Sequence, residues 1–227
     1  MTALPPAPVL PATAPTDPAA LLTLVQWLSP AFPTGAFAYS HGLEAAISQG
    51  DVTTAAGLQD WVTDILAHGA GRTDAILLAH ALRPDADHAS LAALARALCA
   101  TAERLQETRE QGAALTLATN ALRGTSHPPA PLPVALGRAA APLALVPALV
   151  LALSLQAFAT TLVLAAVRFM PMGQTDGQRI LAALHPLILR LADHAAQAPL
   201  SAIGSAAIRA DIASARHETL DVRIFRT

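Results

Sequence analysis

The stretch Ala139-Ala-Ala-Pro-Leu-Ala-Leu-Val-Pro-Ala-Leu-Val-Leu-Ala-Leu-Ser-Leu-Gln-Ala-Phe-Ala-Thr-Thr-Leu-Val-Leu-Ala-Ala-Val167 lies between Arg138 and Arg168 without one charged residue. A membrane-spanning helix needs about 20 consecutive apolar residues, so length alone admits a single span over residues 139–167. A helix apolar on all sides is equally the centre of a large helical bundle. Pro142 and Pro147 restrict the regular helix to about residues 148–169, because proline lacks the amide donor and crowds the preceding turn. Ser154, Gln156, Thr160 and Thr161 place polar groups near its middle, and such groups prefer protein partners to lipid. The mean hydropathy of +0.45 owes much to 54 alanines, which favour helix more than they favour lipid.

Outward from this stretch the pattern stays helical. Asp17 and Pro18 open a helix with Leu21, Leu24, Val25 and Leu28 on one face. Pro30, Pro33 and Gly35 then bend the entry to a predicted helix carrying Tyr39, Leu43 and Ile47. Further amphipathic helices are predicted from Thr54, over residues 73–82, and after Asp87. The charged patch from Glu103 to Glu110 reads as a solvated helix face. Pro128, Pro129, Pro131 and Pro133 mark a stiff loop over residues 124–133. Beyond the apolar stretch, Thr175 and Gln178 have the spacing of a capping box for a helix that Pro186 should kink, and residues 205–215 form a last short helix. The expected fold is all-α, a single-domain helical bundle (residues 17–215) around a central buried apolar helix. A Pro-rich tail (1–16) should be extended and mobile. The C-terminal tail (216–227) has no helical period and should order only on a partner.

Composition excludes several functions. The 14 cationic residues are all arginine, so there is no lysine for a phosphate-binding loop, a Schiff base or a Ser-Lys dyad. A net charge of −2 provides no electrostatic footprint for nucleic acid or an anionic membrane. Cys99 stands alone, which excludes an internal disulfide and fits a cytoplasmic protein, as does an amino terminus without a basic leader region. The eight histidines show no i, i+4 or HExxH pairing, so structural or solvent roles are expected and no nickel ligand or cofactor is assigned. Ala38-Tyr-Ser-His-Gly42 has the outline of a nucleophile elbow, which would make Ser40 the centre of a serine esterase. That chemistry needs a strand before the serine, and Pro30 to Gly35 cannot make a central one.

Three stretches resemble the UreF family of urease accessory proteins: Ser29-Pro-Ala-Phe-Pro-Thr-Gly-Ala-Phe-Ala-Tyr-Ser-His-Gly-Leu-Glu44, Arg168-Phe-Met-Pro-Met-Gly-Gln-Thr-Asp-Gly-Gln178, and the tail with His217-Glu218 and Arg223-Ile-Phe-Arg226. Glu110-Gln-Gly112 adds a weaker segment. Met170 and Met172 depart from the family, which usually has a branched aliphatic and a leucine there. The resemblance implies a non-enzymatic, all-α homodimer that binds UreD (also called UreH) and recruits the GTPase UreG to apo-urease for nickel insertion, as a scaffold and checkpoint, with modulation of GTP hydrolysis proposed for the family. The partner-binding residues it implies are Phe37, Tyr39, Ser40, Glu44, Arg168, Gln174, Gln178, His217, Glu218, Arg223, Phe225 and Arg226. Packing and capping at a bent helix entry is the alternative reading of Tyr39, Ser40 and Glu44. Arg168 could simply cap the apolar helix.

Overall fold

The computed structural model describes residues 16–226, and every regular element among them is helical. The first half of the chain forms α1 (Pro18–Leu28), a 3-10 turn (Ala36–Ala38), α2 (Leu43–Ser48), α3 (Ala55–His68), α4 (Ala70–Ala81) and α5 (His88–Ala97). The second half forms α6 (Ala102–Arg123), α7 (Leu132–Ala140), α8 (Pro147–Phe169), α9 (Gln174–Gln197) and α10 (Ile208–His217), with 3-10 turns at Ala141–Leu143 and Leu200–Ala202. The Pro-rich tail assigned to residues 1–16 lies outside the described residues except for Thr16.

Side-chain caps set several starts. Asp17 Oδ1 accepts from the Ala19 amide at 2.9 Å, Thr54 Oγ1 from Gly57 at 3.1 Å, and Asp87 Oδ1 from Ala89 and Ser90 at 3.1 and 3.0 Å. Thr101 Oγ1 accepts from Arg104 at 3.1 Å and opens α6. Each cap satisfies an amide that has no partner within its own helix.

The apolar stretch is two elements rather than one. α7 ends at Ala140, and Ala144 takes a left-handed φ of 51° before Pro147 starts α8. α8 is long and apolar enough to cross a membrane by length and composition. One face, with Val150, Leu151, Leu155, Ala159, Leu162 and Ala166, is buried, and α8 packs against α9, α4, α3, α2 and α1. A covered face of this kind packs as a core helix does. The burial is one-sided, however: Leu153, Gln156, Ala157, Phe158 and Thr160 are half-buried and line a cleft of about 420 Å3 shared with Trp27 and Leu28 of α1. α4, between α3, α5, α7, α8 and α9, is enclosed more completely.

The polar groups of α8 do not all find partners. Thr160 and Thr161 donate to the carbonyls of Gln156 and Ala157 one turn back, but the buried Oε1 of Gln156 has no hydrogen-bond partner. An unpaired buried acceptor costs about 1–3 kcal/mol. Gln156→Leu is therefore expected to leave the urea-unfolding midpoint unchanged or raise it. A loss above about 2 kcal/mol would show that the amide holds a partner.

Other sequence expectations shift in register. Leu132–Ala140, expected as loop up to Pro133 and as apolar stretch only from Ala139, is a helix lying against α4 and α6. α6 meets the chain entering α7 at backbone distance, since a Cβ on Gly112 would lie 2.0 Å from the Ala130 carbonyl. Tyr39 precedes α2 in extended backbone instead of belonging to it. The Thr175–Gln178 capping box does not form, because α9 begins at Gln174, with Gly173 as its cap and no side-chain bond. Pro186 sits inside α9, which continues to Gln197.

Candidate partner-binding site

Between the 3-10 turn and α2 the chain reverses through His41 (φ 52°) and Gly42 (φ 74°). A Cβ at Gly42 would stand 2.4 Å from the Ser214 amide, so glycine is what lets α10 rest directly on this turn. The last residue of α10, His217, thereby falls between α2 and α6 and is 0% exposed. Its Nε2 lies 3.0 Å from Glu44 Oε2, and its Nδ1 lies 2.9 Å from Glu103 Oε2.

The tail continues from this clamp. Glu218 Oε1 accepts from the Ala102 and Glu103 amides at 2.9 and 3.4 Å, capping the positive end of α6. Arg223 pairs with Glu103 at 2.9 Å. Glu44 accepts the Ile224 and Phe225 amides, both at 2.8 Å. Phe225 is buried beneath Arg168, whose guanidinium carbon is 4.9 Å from the ring centroid. The Arg226 amide donates to the Ala38 carbonyl at 2.7 Å, and its guanidinium to Glu110 at 2.7 Å. Tyr39 Oη donates to the same Glu110 oxygen at 2.5 Å, and Arg168 donates to the Phe37 carbonyl at 2.7 Å.

The tail that the sequence predicts to order on a partner is thus already docked on its own chain. The physical reason is a set of acceptors on α2 and α6 that matches its amides and arginines. Arg168 accordingly does more than cap α8: its Nε reaches the Leu164 carbonyl at 3.3 Å while its plane covers Phe225. The charged patch on α6 is not a solvated face either. Glu103 and Glu107 are buried, and with Glu110 they form an i, i+4, i+7 stripe facing α10, the tail and the turn before α2. That spacing was the available signal; the helical period cannot say what faces an acidic stripe.

Beside this site lies a second buried cluster. Glu107 Oε1 is 2.9 Å from His41 Nε2 and accepts from Gln111 at 2.7 Å, while Arg104 bridges Asp74 of α4 and Glu107. Phe158 of α8 packs edge-on against the His41 ring at 4.7 Å. Ser40 is fully buried, and its Oγ accepts from the Glu44 amide at 3.3 Å. A serine so placed caps α2 and is closed to substrate, which removes the basis for an esterase reading. Among the described residues no group of three or more His, Cys, Asp or Glu side chains is arranged to hold a metal.

Burial alone would raise the Glu44 carboxyl, but hydrogen bonds from His217, Ile224 and Phe225 outweigh it and hold it below the usual range. For Glu107, burial is likewise outweighed, here by His41 and Arg104. Burial dominates at Asp74 and raises it despite Arg104. Tyr39 is pushed up to about 12 by burial and by its bond to Glu110. A lowered folded value means that Glu44 and Glu107 add stability fully present above the unfolded carboxylate range, near pH ~4.3, and lost as pH falls through the folded values. Asp74 acts with the opposite sign. Urea midpoints are expected to drop between about pH 6 and about pH 3, and Glu107→Gln to flatten that drop. An unchanged slope in the variant would remove Glu107 from the account.

Ten of the twelve predicted site residues share this one end of the molecule: Phe37, Tyr39, Ser40, Glu44, Arg168, His217, Glu218, Arg223, Phe225 and Arg226. Gln174 and Gln178 are exposed on the first turns of α9, and their side chains take no part in the hydrogen bonds above. Within the ten, Tyr39, Ser40, Glu44, His217 and Phe225 are buried and build the surface, whereas Phe37, Arg168, Glu218, Arg223 and Arg226 are exposed on it. Sequence reasoning missed exposed apolar residues of the elements that form this end of the molecule: Ile208 and Ile212 of α10, and Val222 and Ile224 of the tail, the last two 82% and 70% exposed.

The sequence profile of the UreF family matches residues 52–185. The chain belongs to the UreF family. It is 68% identical over 209 residues to the urease accessory protein UreF of Cereibacter sphaeroides, covering 92% of this chain and 99% of that protein. It is 51% identical over 212 residues to the corresponding protein of Paracoccus denitrificans, covering 93% and 98%. Against that of Jannaschia sp. it is 48% identical over 207 residues, covering 91% and 94%. Of the three stretches that carry the resemblance, Arg168–Gln178 falls within the profile match, while Ser29–Glu44 and the tail lie on either side of it. This UreF-family chain therefore joins two segments outside the profile, residues 29–44 and 217–226, into one surface.

Proposed function

We propose that this chain is a cytoplasmic, non-catalytic scaffold of urease maturation, which acts as a homodimer, binds UreD (UreH) and recruits the GTPase UreG for nickel insertion into apo-urease. Membership of a urease accessory family supports the general role. The observation that carries the assignment of a surface is the docked tail: buried polar bonds fix its backbone, while its Val222 and Ile224 leave apolar side chains exposed to solvent. Exposed apolar side chains on a rigid backbone lose little conformational entropy on association, which favours tight, oriented binding. UreD takes this face. Nickel is cargo in this scheme, and no residue of the chain is assigned as its ligand.

The test is co-expression with UreD, comparing wild type with the double variant Val222→Asp and Ile224→Asp. Both side chains point to solvent, so the helical circular dichroism should be unchanged while co-purification falls about ten-fold or more. Undiminished co-purification by a folded variant would reject this face as the UreD site.

A further inference from the structure

The environment of His217 imposes a requirement on protons. Both ring nitrogens face carboxylate oxygens, at 3.0 Å on Glu44 and at 2.9 and 3.1 Å on Glu103. An ionised carboxylate can only accept, and a neutral imidazole carries a single N–H. The observed arrangement therefore needs one proton more than a neutral histidine between two carboxylates contains. Without it, a nitrogen lone pair would face an anionic oxygen at hydrogen-bond distance in a site closed to water, where an unpaired polar group is costly.

The charged neighbours come from each element around the ring. α2 supplies Glu44, α6 supplies Glu103, and the tail supplies Arg223, which pairs with Glu103, and Glu218, which caps α6. On α10 itself Arg216 is directed away, to Gln49. Arg223 can compensate Glu103 if the ring loses its proton. The other partners of Glu44 in the clamp are the neutral amides of Ile224 and Phe225, so His217 is the cation that balances it. The carboxylate that anchors the tail backbone is thus the one left without a balancing cation when the ring proton is lost.

We propose that the Glu44–His217–Glu103 clamp is a proton-dependent latch, holding the tail against α2 and α6 while the extra proton is present and loosening residues 218–226 when it is lost. Raising pH loosens the latch. Lowering pH far enough to protonate Glu44 loosens it from the other side, so docking is firmest between the two. The consequence for partner binding rests on the function proposed above; the latch itself does not.

Hydrogen exchange of the Ile224 and Phe225 amides, corrected for intrinsic pH dependence, reads the latch without a partner. In the wild type, protection is expected to fall about ten-fold or more as pH is raised. His217→Gln should have low protection at every pH. Glu103→Gln should keep its protection and lose the pH dependence, because a neutral ring can donate Nε2–H to Glu44 while Nδ1 accepts from the new amide. Should either variant fail to fold, the ring nitrogen shifts of His217 in wild-type protein supply the same answer. Two protonated nitrogens are expected at the lower pH, and one of them should lose its proton together with the tail's protection. A ring carrying one proton throughout, or wild-type protection that does not vary with pH, would overturn the latch. Loss of UreD binding in the tail variants would leave these outcomes unchanged.

Discussion

Glu44→Ala is expected to release the tail and to destabilise the protein by about 3–5 kcal/mol, the usual consequence of removing one partner from a buried, hydrogen-bonded pair. Glu44 is 3% exposed, and its two oxygens accept from His217 and from the Ile224 and Phe225 amides. The truncation strands all three donors, in contrast to an exposed carboxylate, whose loss water would make good. Two measurements check it. The urea-unfolding midpoint should fall, and trypsin should cut after Arg223 faster than in the wild type, since docked backbone resists cleavage. If the tail face is the UreD site, capture of UreD should fall as well. A variant with wild-type midpoint and wild-type cleavage would mean that the tail is held by Phe225 and its arginines alone.

The largest effect is expected at Leu162. It is 0% exposed on the covered face of α8, the helix whose reading decided the fold. Leu162→Arg would bury a cation with no carboxylate to meet it. Substitutions of this kind exceed the range of about 0.5–3 kcal/mol covering most mutations and can remove the whole stability of a domain. No soluble folded protein should be recovered. Leu162→Ala, which leaves a cavity but no charge, should fold with a loss of about 2–5 kcal/mol. The pair distinguishes a packed face from a lipid-facing one. If the arginine variant folded with the wild-type midpoint, the packing of α8 against α9 and α4 would be wrong.

Much of the fold was legible before any coordinates. Asp17, Thr54 and Asp87 cap helices where the sequence places them, α8 starts within a residue of its expected start, and α9 starts two residues early. Caps and proline breaks are local, set by amide groups within a few residues, so sequence reports them well. α7 was missed because Pro131 and Pro133 read as loop, although proline is well tolerated in the first turn of a helix. The Thr175–Gln178 box was over-read because its spacing matches a motif that the chain does not use.

For the candidate site, the family resemblance picked out residues of which ten lie at one end of the molecule, but not which of them are buried there. Tyr39, Glu44, His217 and Phe225, expected as partner contacts, are buried beneath the surface proposed for UreD. Glu103 and Glu107 were assigned to solvent for the opposite reason: charge on an amphipathic helix ordinarily marks the wet face.

What the sequence determined by itself was the all-helical class, the capped starts and the family, because these depend on composition, short-range hydrogen bonds and ordered motifs. The tertiary structure decided which side of α8 is closed and that an acidic stripe on α6 faces inward. It also decided that the last nine described residues belong to the folded surface. Those outcomes rest on pairings between groups more than 100 positions apart, such as His217 with Glu103 and Glu44, and Arg226 with Glu110. A buried charge is tolerable only opposite its partner, and that partner is found in space, not in register along the chain.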